Sequence, residues 1–127
     1  MTARRAVLDD AAWLLALRND PEAVRWSISG VLVSVDEHAA WFATTITDPA
    51  RALMVAETRL IQAGRDFAHD LEMRLIPIAT YRLDRIGTDQ VEVGLTVAPE
   101  YRGRGYAAHV IDLAARHAMR EGADSVV

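Results

Sequence analysis

From Val91 to Val97 apolar and polar residues alternate: Val91, Val93, Leu95 and Val97 share one side, while Glu92 and Thr96 fall on the other. A period of two predicts a strand, and Pro99 ends it. The period then changes. Ala107, Val110, Ile111, Ala114 and Ala118 recur at helical spacing, which predicts an amphipathic helix running to about Glu121 and stopped by Gly122. Ala123 to Val127 begins another strand. Between the first strand and the helix lie Arg102-Gly103-Arg104-Gly105-Tyr106-Ala107. A strand that turns through glycines into a helix start leaves several backbone N–H groups aimed one way, and the helix dipole adds positive potential there. This segment is a candidate phosphate site, with both arginines adding charge.

Upstream, Arg4 to Leu8 reads as a short strand, and Asp9 and Asp10 precede a helix of good formers, Ala11 to Arg18. Asn19-Asp20-Pro21 stops it, and Asp20 can cap a new short turn with Pro21 in first position. Ile28 to Val33 reads as a loop or a brief strand around Gly30. Ser34-Val35-Asp36-Glu37 forms a capping box, after which Val35, Ala39, Phe42 and Ile46 align on one helix face. That helix ends before Asp48-Pro49. Leu53 to Arg59 and Met73 to Leu83 predict two strands, joined by a polar connection from Gln62 to Asp70. Pro77 marks an edge or a bulge in the second, and Ile86 to Asp89 turn the chain into the next strand. Short turns between successive strands imply an antiparallel meander, and the last strand–helix–strand unit implies one parallel crossover. The fold class is α/β with a mixed sheet in a single domain, residues 1–127.

A chain of 127 residues is one domain's worth and buries enough surface to fold without staples. The absence of cysteine excludes disulfides and thiolate chemistry and fits a cytoplasmic protein. The net charge of −4 argues against a nucleic-acid partner. No apolar run approaches the length of a membrane span, so no membrane is expected. His38, His69, His109 and His117 lack metal-ligand spacing, so no metal is expected either. Apart from His38, which lies beside Trp41, they read as surface or boundary residues. Arg18 and Arg25 read as solvated helix charges, and the acids from Asp66 to Glu72 as a solvated connection.

With these residues in view, Val93 to Ala107 resembles the acetyl-CoA signature of the GCN5-related N-acetyltransferases, the GNAT superfamily. The signature, Arg/Gln-x-x-Gly-x-Gly/Ala after a strand, falls on Arg102, Gly105 and Ala107, with Gly103 as well. The resemblance implies an acyl-CoA N-acyltransferase fold and acetyl transfer to a small-molecule primary amine. It implies that backbone N–H groups of Arg102, Gly103, Arg104, Gly105, Tyr106 and Ala107 hold the coenzyme A pyrophosphate. Backbone groups of Leu95 and Val97 would pair with the pantetheine arm. Glu92 resembles the carboxylate that many members use as general base, directly or through water. Arg18-Asn19-Asp20-Pro21, Val24 to Ser27, Glu37-His38 and Trp41-Phe42 resemble members acting on amino sugars, which makes Trp26, His38 and Trp41 the substrate-side candidates.

The family fold continues with a helix and two strands beyond the strand near Ala123, and many members carry a tyrosine acid there. The resemblance therefore implies a fold cut short after the start of its fifth strand. It leaves open a second reading, a catalytically impaired coenzyme A-binding or interaction module. A dinucleotide fingerprint, met loosely by Gly103, Gly105 and Ala108, lacks its acidic partner about 20 positions on. An exposed strand edge also favours homo-oligomers, including strand-swapped ones. Sedimentation velocity at micromolar concentration is expected to show a species larger than the monomer; a single monomer boundary contradicts this.

Overall fold

The computed structural model describes residues 1–27, 29–63, 71–122 and 125–126. Five strands form one sheet in the order β1 (Thr2–Arg5), β2 (Arg51–Ala63), β3 (Leu71–Arg85), β4 (Gln90–Val97) and β5 (Ser125–Val126). The first four are antiparallel neighbours, and β5 joins β4 in parallel after the helix α4 (Tyr106–Arg120). The meander and the single crossover follow from the connections: tight turns return a strand against its neighbour, whereas a helix carries it back to the same end.

Helices cover both faces of the sheet. On one face Ala52, Met54, Tyr81, Leu83 and Val91 meet Val110, Ala114 and Ala118 of α4. On the other, Leu53 and Val55 meet Ala6, Leu14 and Phe42. Leu14 belongs to α1 (Ala11–Arg18) and Phe42 to α3 (Val35–Thr47), with the short α2 (Pro21–Arg25) between them. Each strand thus supplies alternate residues to two apolar layers. Asp20 caps α2 by accepting from the Ala23 N–H at 3.3 Å, and Ser34 Oγ caps α3 by accepting from the Glu37 N–H at 3.1 Å. Only this half of the expected capping box forms, because the Glu37 carboxylate takes the Ser34 hydroxyl at 3.2 Å rather than the Ser34 N–H.

Packing changes several sequence expectations. The buried face of α3 is His38, Phe42 and Thr45, not Val35, Ala39, Phe42 and Ile46, of which only Phe42 is buried. Rotation by about one residue brings the polar His38 and Thr45 inward, where the sheet requires the helix to lie flat. On α4 the buried stripe is Val110, Ala114, His117 and Ala118; Ala107 and Ile111 are exposed. His117 is not a boundary residue: it is buried, and its Nδ1 lies 3.0 Å from the Tyr81 hydroxyl. The first strand spans Thr2–Arg5 rather than Arg4–Leu8, because its partner register ends at Met54. β2 runs through Gln62 and Ala63, which the sequence pattern assigns to the connection; residues 64–70, with His69, lie outside the described residues. Ile28 lies outside them too, and residues 29–33 are neither helix nor strand.

Pro77 sits at a bulge in an inner strand. Ala56 faces Ala79 but Glu57 faces Pro77, so Ile78 is the extra residue and both Ile78 and Ala79 are buried. Asp10 stands at the start of α1 as expected, but its side chain caps the preceding 3-10 turn rather than α1 itself. Its carboxylate turns back to take two hydrogen bonds from the Arg4 guanidinium, at 2.8 and 2.9 Å, and one from the Val7 N–H at 2.7 Å. The hydrogen bond from Arg4 chiefly holds the Asp10 carboxyl below the usual aspartate range, against the opposing effect of burial. A lowered folded-state pKa means that the unfolded chain binds the proton more readily. The contribution is therefore complete above the ordinary aspartate pKa of about 3.9 and is lost as pH falls through the lower folded value. Urea unfolding is expected to show a steeper acid loss of stability in the parent than in Asp10→Asn.

Candidate functional site

A cavity of about 960 Å³ opens between the sheet and the three N-terminal helices. Its floor is β3 and β4 at Thr80, Arg82, Gly94 and Thr96, and it wraps around the β4 edge to Leu95 and Val97. At one end it reaches Arg102 and Ala107; at the other it is walled by Trp26, His38 and Trp41. The fold thereby joins in one space residues 81 positions apart, from Trp26 to Ala107. Glu92 is on the same face as Gly94 and Thr96 but is exposed, faces Asp84, and is not part of the cavity lining.

The β3–β4 register determines what the cavity sees of the backbone. Ile86 N–H donates to the Gln90 carbonyl at 3.1 Å and Ala98 N–H to the Ile78 carbonyl at 2.8 Å, with unbroken pairing between. Hydrogen-bonded pairs in an antiparallel ladder alternate, so even-numbered residues of β4 are bonded to β3. The N–H and C=O groups of Val93, Leu95 and Val97 consequently point to the opposite edge. The described part of β5 meets that edge only at Gln90 and Val91. An extended ligand can therefore lie along β4 as an added strand.

The loop before α4 is built for close approach. Gly103 and Gly105 have φ of +74° and +83°, the left-handed region that glycine adopts without strain. Gly105 caps α4 with no side-chain acceptor, so the first-turn N–H groups of the helix have no partner within it. Among the described residues no backbone or side-chain acceptor meets the N–H groups of Gly103, Arg104 or Gly105. The Arg102 N–H differs, since it donates to the Pro99 carbonyl at 3.3 Å. The amide array thus starts at Gly103 rather than at Arg102.

Arg102 does not contribute free charge to this loop. Its Nε donates to the Val97 carbonyl at 3.0 Å, and its Nη1 donates to Asp20 at 2.8 Å and Glu22 at 3.2 Å. The Arg102 guanidinium holds the Asp20 carboxyl below its ordinary pKa. Arg104 is exposed, with its guanidinium 5.8 Å from the Tyr101 ring centre. Tyr106 packs edge-on to Tyr101 at 6.2 Å.

At the other end His38 is buried beside Trp41, ring centres 5.4 Å apart, and stacks on Phe42 at 6.2 Å. Burial pushes the His38 pKa down, which keeps the imidazole neutral at neutral pH. Trp26 is largely exposed at the rim. The Arg82 guanidinium lies 6.0 Å from the Trp41 ring centre. Asn19 seals this wall: its side chain donates to the Val33 carbonyl at 2.8 Å and accepts from the Val33 N–H at 2.7 Å.

Sequence pattern alone missed Arg18 and Arg82, which both line the cavity. Arg18 is not a solvated helix charge but is partly buried. Its position was readable in principle, because it lies four residues after the buried Leu14 on the inner face of α1.

With this geometry in place, comparison with known proteins gives a consistent result. A family model described as an acetyltransferase (GNAT) domain matches residues 1–127. The chain belongs to the GNAT acetyltransferase family. Solved structures share its fold at low identity. A domain from Methanocaldococcus jannaschii superposes with a TM-score of 0.75 and 16% identity, over 98% of this chain and 73% of that one. Spermidine N-acetyltransferase from Vibrio cholerae, in complex with CoA and spermine, gives 0.69 and 23% over 92% of this chain and 62% of that one. Ribosomal-protein-alanine N-acetyltransferase from Brucella melitensis gives 0.67 and 17% over 99% and 72%. No curated protein sequence matches significantly. Among the described residues no helix is long and apolar enough to cross a membrane.

Arg102 spans a strand end and two carboxylates with a planar fork, which a lysine ammonium cannot reproduce. Arg102→Lys is therefore expected to lower the thermal unfolding midpoint by a few degrees, nearly as far as Arg102→Ala, in differential scanning calorimetry.

Proposed function

We propose that this domain transfers an acetyl group from acetyl-CoA to the primary amine of a small molecule, with an amino sugar as the leading acceptor class. The observation that carries the reading is the single cavity joining the open β4 edge and signature loop to the Trp26–His38–Trp41 wall. The described residues fit the coenzyme. The outward-facing N–H and C=O groups of Leu95 and the N–H of Val97 match an amide-bearing arm, the Val97 carbonyl being taken by Arg102. N–H groups from Gly103 to Ala107 match a pyrophosphate. Arg102 is a positioning residue that holds the loop and α2 to the end of β4.

When bound, acetyl-CoA supplies the activated thioester. Overall the amine nitrogen bonds to the acetyl carbon, the carbon–sulfur bond breaks, and the amine's proton leaves so that amide and free thiol result. The chain's part is to hold the partners together, to aim a strand N–H at the carbonyl oxygen, and to accept a proton. Glu92 serves as base through water, since its carboxylate stands outside the cavity lining. A second assignment has its own support: His38 lines the cavity and is neutral at neutral pH, as a proton acceptor must be. The aromatic walls of Trp26 and Trp41 favour a ring-bearing acceptor.

Gly105→Asp tests the loop. A Cβ there meets no protein atom within 4 Å, so the effect comes from strain at φ +83° and from negative charge facing phosphate. Calorimetry is expected to show loss of coenzyme A binding; unchanged affinity rejects the reading, and binding without turnover over a panel of amines leaves the interaction module. The proton acceptor is read from kcat/KM against pH. If His38 serves, the acid limb lies below the ordinary histidine value of about 6.5 and disappears in His38→Gln. If Glu92 serves, Glu92→Gln lowers the rate about 100-fold with unchanged coenzyme affinity.

A further inference from the structure

The charged groups at the acceptor end of the cavity are largely spent within the protein. Arg102 is held by Asp20 and Glu22, and Arg82 donates through Nε to Asp84 at 2.7 Å. Arg18 turns Nη2 to Ser29 and encloses Nη1. Glu37 accepts from the uncharged Ser34 hydroxyl at 3.2 Å. This wall therefore holds no free cation for an anionic ligand.

What it does hold is uncharged polar contact. Asp84 takes only the Nε–H of Arg82, so Nη1 and Nη2 have no protein acceptor among the described residues. The side chain lines the cavity and keeps 36% of its surface exposed, so these terminal N–H groups are reachable. They are also fixed in place. Nη2 lies across β4, 3.7 Å from where a side chain on Gly94 would begin, and the guanidinium carbon is 6.0 Å from the Trp41 ring centre. His38 sits against the same ring, 5.4 Å between centres. It is 5% exposed and lines the cavity, yet among the described residues neither ring nitrogen has a protein partner. A buried polar side chain is unfavourable until water or a ligand pairs it. Neutral imidazole has one donor and one acceptor nitrogen, whereas a guanidinium has donors only.

We propose that Arg82 is a specificity-determining residue: through Nη1 and Nη2 it donates to a hydroxyl group of the acceptor amine, at the Trp41 ring that His38 shares. The inference rests on the acetyl-transfer reading above, and it deepens that reading by naming the residue that selects the acceptor and the group it reads. A hydroxyl suits both side chains, since it accepts from Arg82 and can accept from or donate to His38. Asp84 matters because it balances the guanidinium charge. The site then responds to the direction of a hydrogen bond rather than to the charge of the ligand. An alkyl amine of the same shape leaves these polar groups unpaired, which is how such a site rejects it. The second ammonium of a polyamine finds no acceptor on Arg82.

The test uses two pairs of amines matched in shape: 2-amino-1,3-propanediol with 3-aminopentane, and glucosamine with cyclohexylamine. Isothermal titration is run on the protein loaded with desulfo-coenzyme A, which binds without reacting. In at least one pair the hydroxylated member is expected to bind at least about tenfold tighter. Members of a pair also differ in basicity, so two variants assign the preference to Arg82. Arg82→Lys keeps a cation beside Asp84 but loses the planar pair of terminal donors. Arg82→Met combined with Asp84→Asn removes the donors without stranding a carboxylate. Both are expected to lose most of the preference while coenzyme affinity stays within about twofold. Equal or tighter binding of the alkyl members in both pairs overturns the proposal. So does a preference that survives in the double variant, or a loss that appears only as weaker coenzyme binding. Glucosamine 6-phosphate binding about tenfold tighter than glucosamine overturns it as well, because that result requires a free cation. Failure of the wild-type protein to bind desulfo-coenzyme A overturns the transferase reading instead. The same paired titrations on the free protein then decide the hydroxyl site alone.

Discussion

One arginine holds the two halves of the cavity at a constant separation. Arg102 follows β4 by five residues, and its Nε returns to the Val97 carbonyl. Its Nη1 reaches Asp20, 82 residues away in sequence, and Glu22 beside it. Asp20 is also the cap of α2, so one carboxylate both starts that helix and ties it to the sheet. Guanidinium suits this task because its donors are rigid, planar and always charged. Pairing with Asp20 and Glu22 also quiets its charge. The anion-binding capacity of the neighbouring loop then rests on backbone amides and on the dipole of α4 rather than on this side chain.

The register of β3 against β4 is the second constraint, and it acts through parity. Hydrogen bonds to β3 fall at even-numbered residues of β4, which turns the backbone groups of Leu95 and Val97 to the opposite edge, met by the described part of β5 only at Gln90 and Val91. A slip of one residue would turn them inward and would also exchange the two faces of the strand. The apolar side chains of Val91 and Leu83, packed under α4, resist such a slip. Core packing and ligand geometry are thus consequences of the same pairing.

Electrostatics in the cavity follows burial more than net charge. The chain is acidic overall, yet the carboxylates at the cavity wall are engaged by Arg102 and by a capping serine. His38 loses its charge because its helix face lies against the sheet. Arg18 lines the same wall, and among the described residues its Nη1 is shielded from water and has no acceptor.

Much of this was legible in the residues alone. Alternation from Val91 to Val97, the glycine turn and the helical spacing after it are local properties, so strand, loop and helix could be placed by short-range rules. The side-chain cap at Ser34, the cap at Asp20 and the bulge at Pro77 are local in the same sense. The resemblance carried by Arg102, Gly105 and Ala107 pointed to the family that the whole chain matches. What tertiary structure decided was which side of each helix meets the sheet. The α3 face turned to His38 and Thr45, and the α4 face took in His117, because contacts with distant strands outweigh a one-residue difference in apolar spacing. Pairing across the fold also decided that Arg102 is bound, that Arg18 is enclosed, and that Glu92 stands outside the cavity. A side chain's partners depend on elements many residues away, and no local pattern records them.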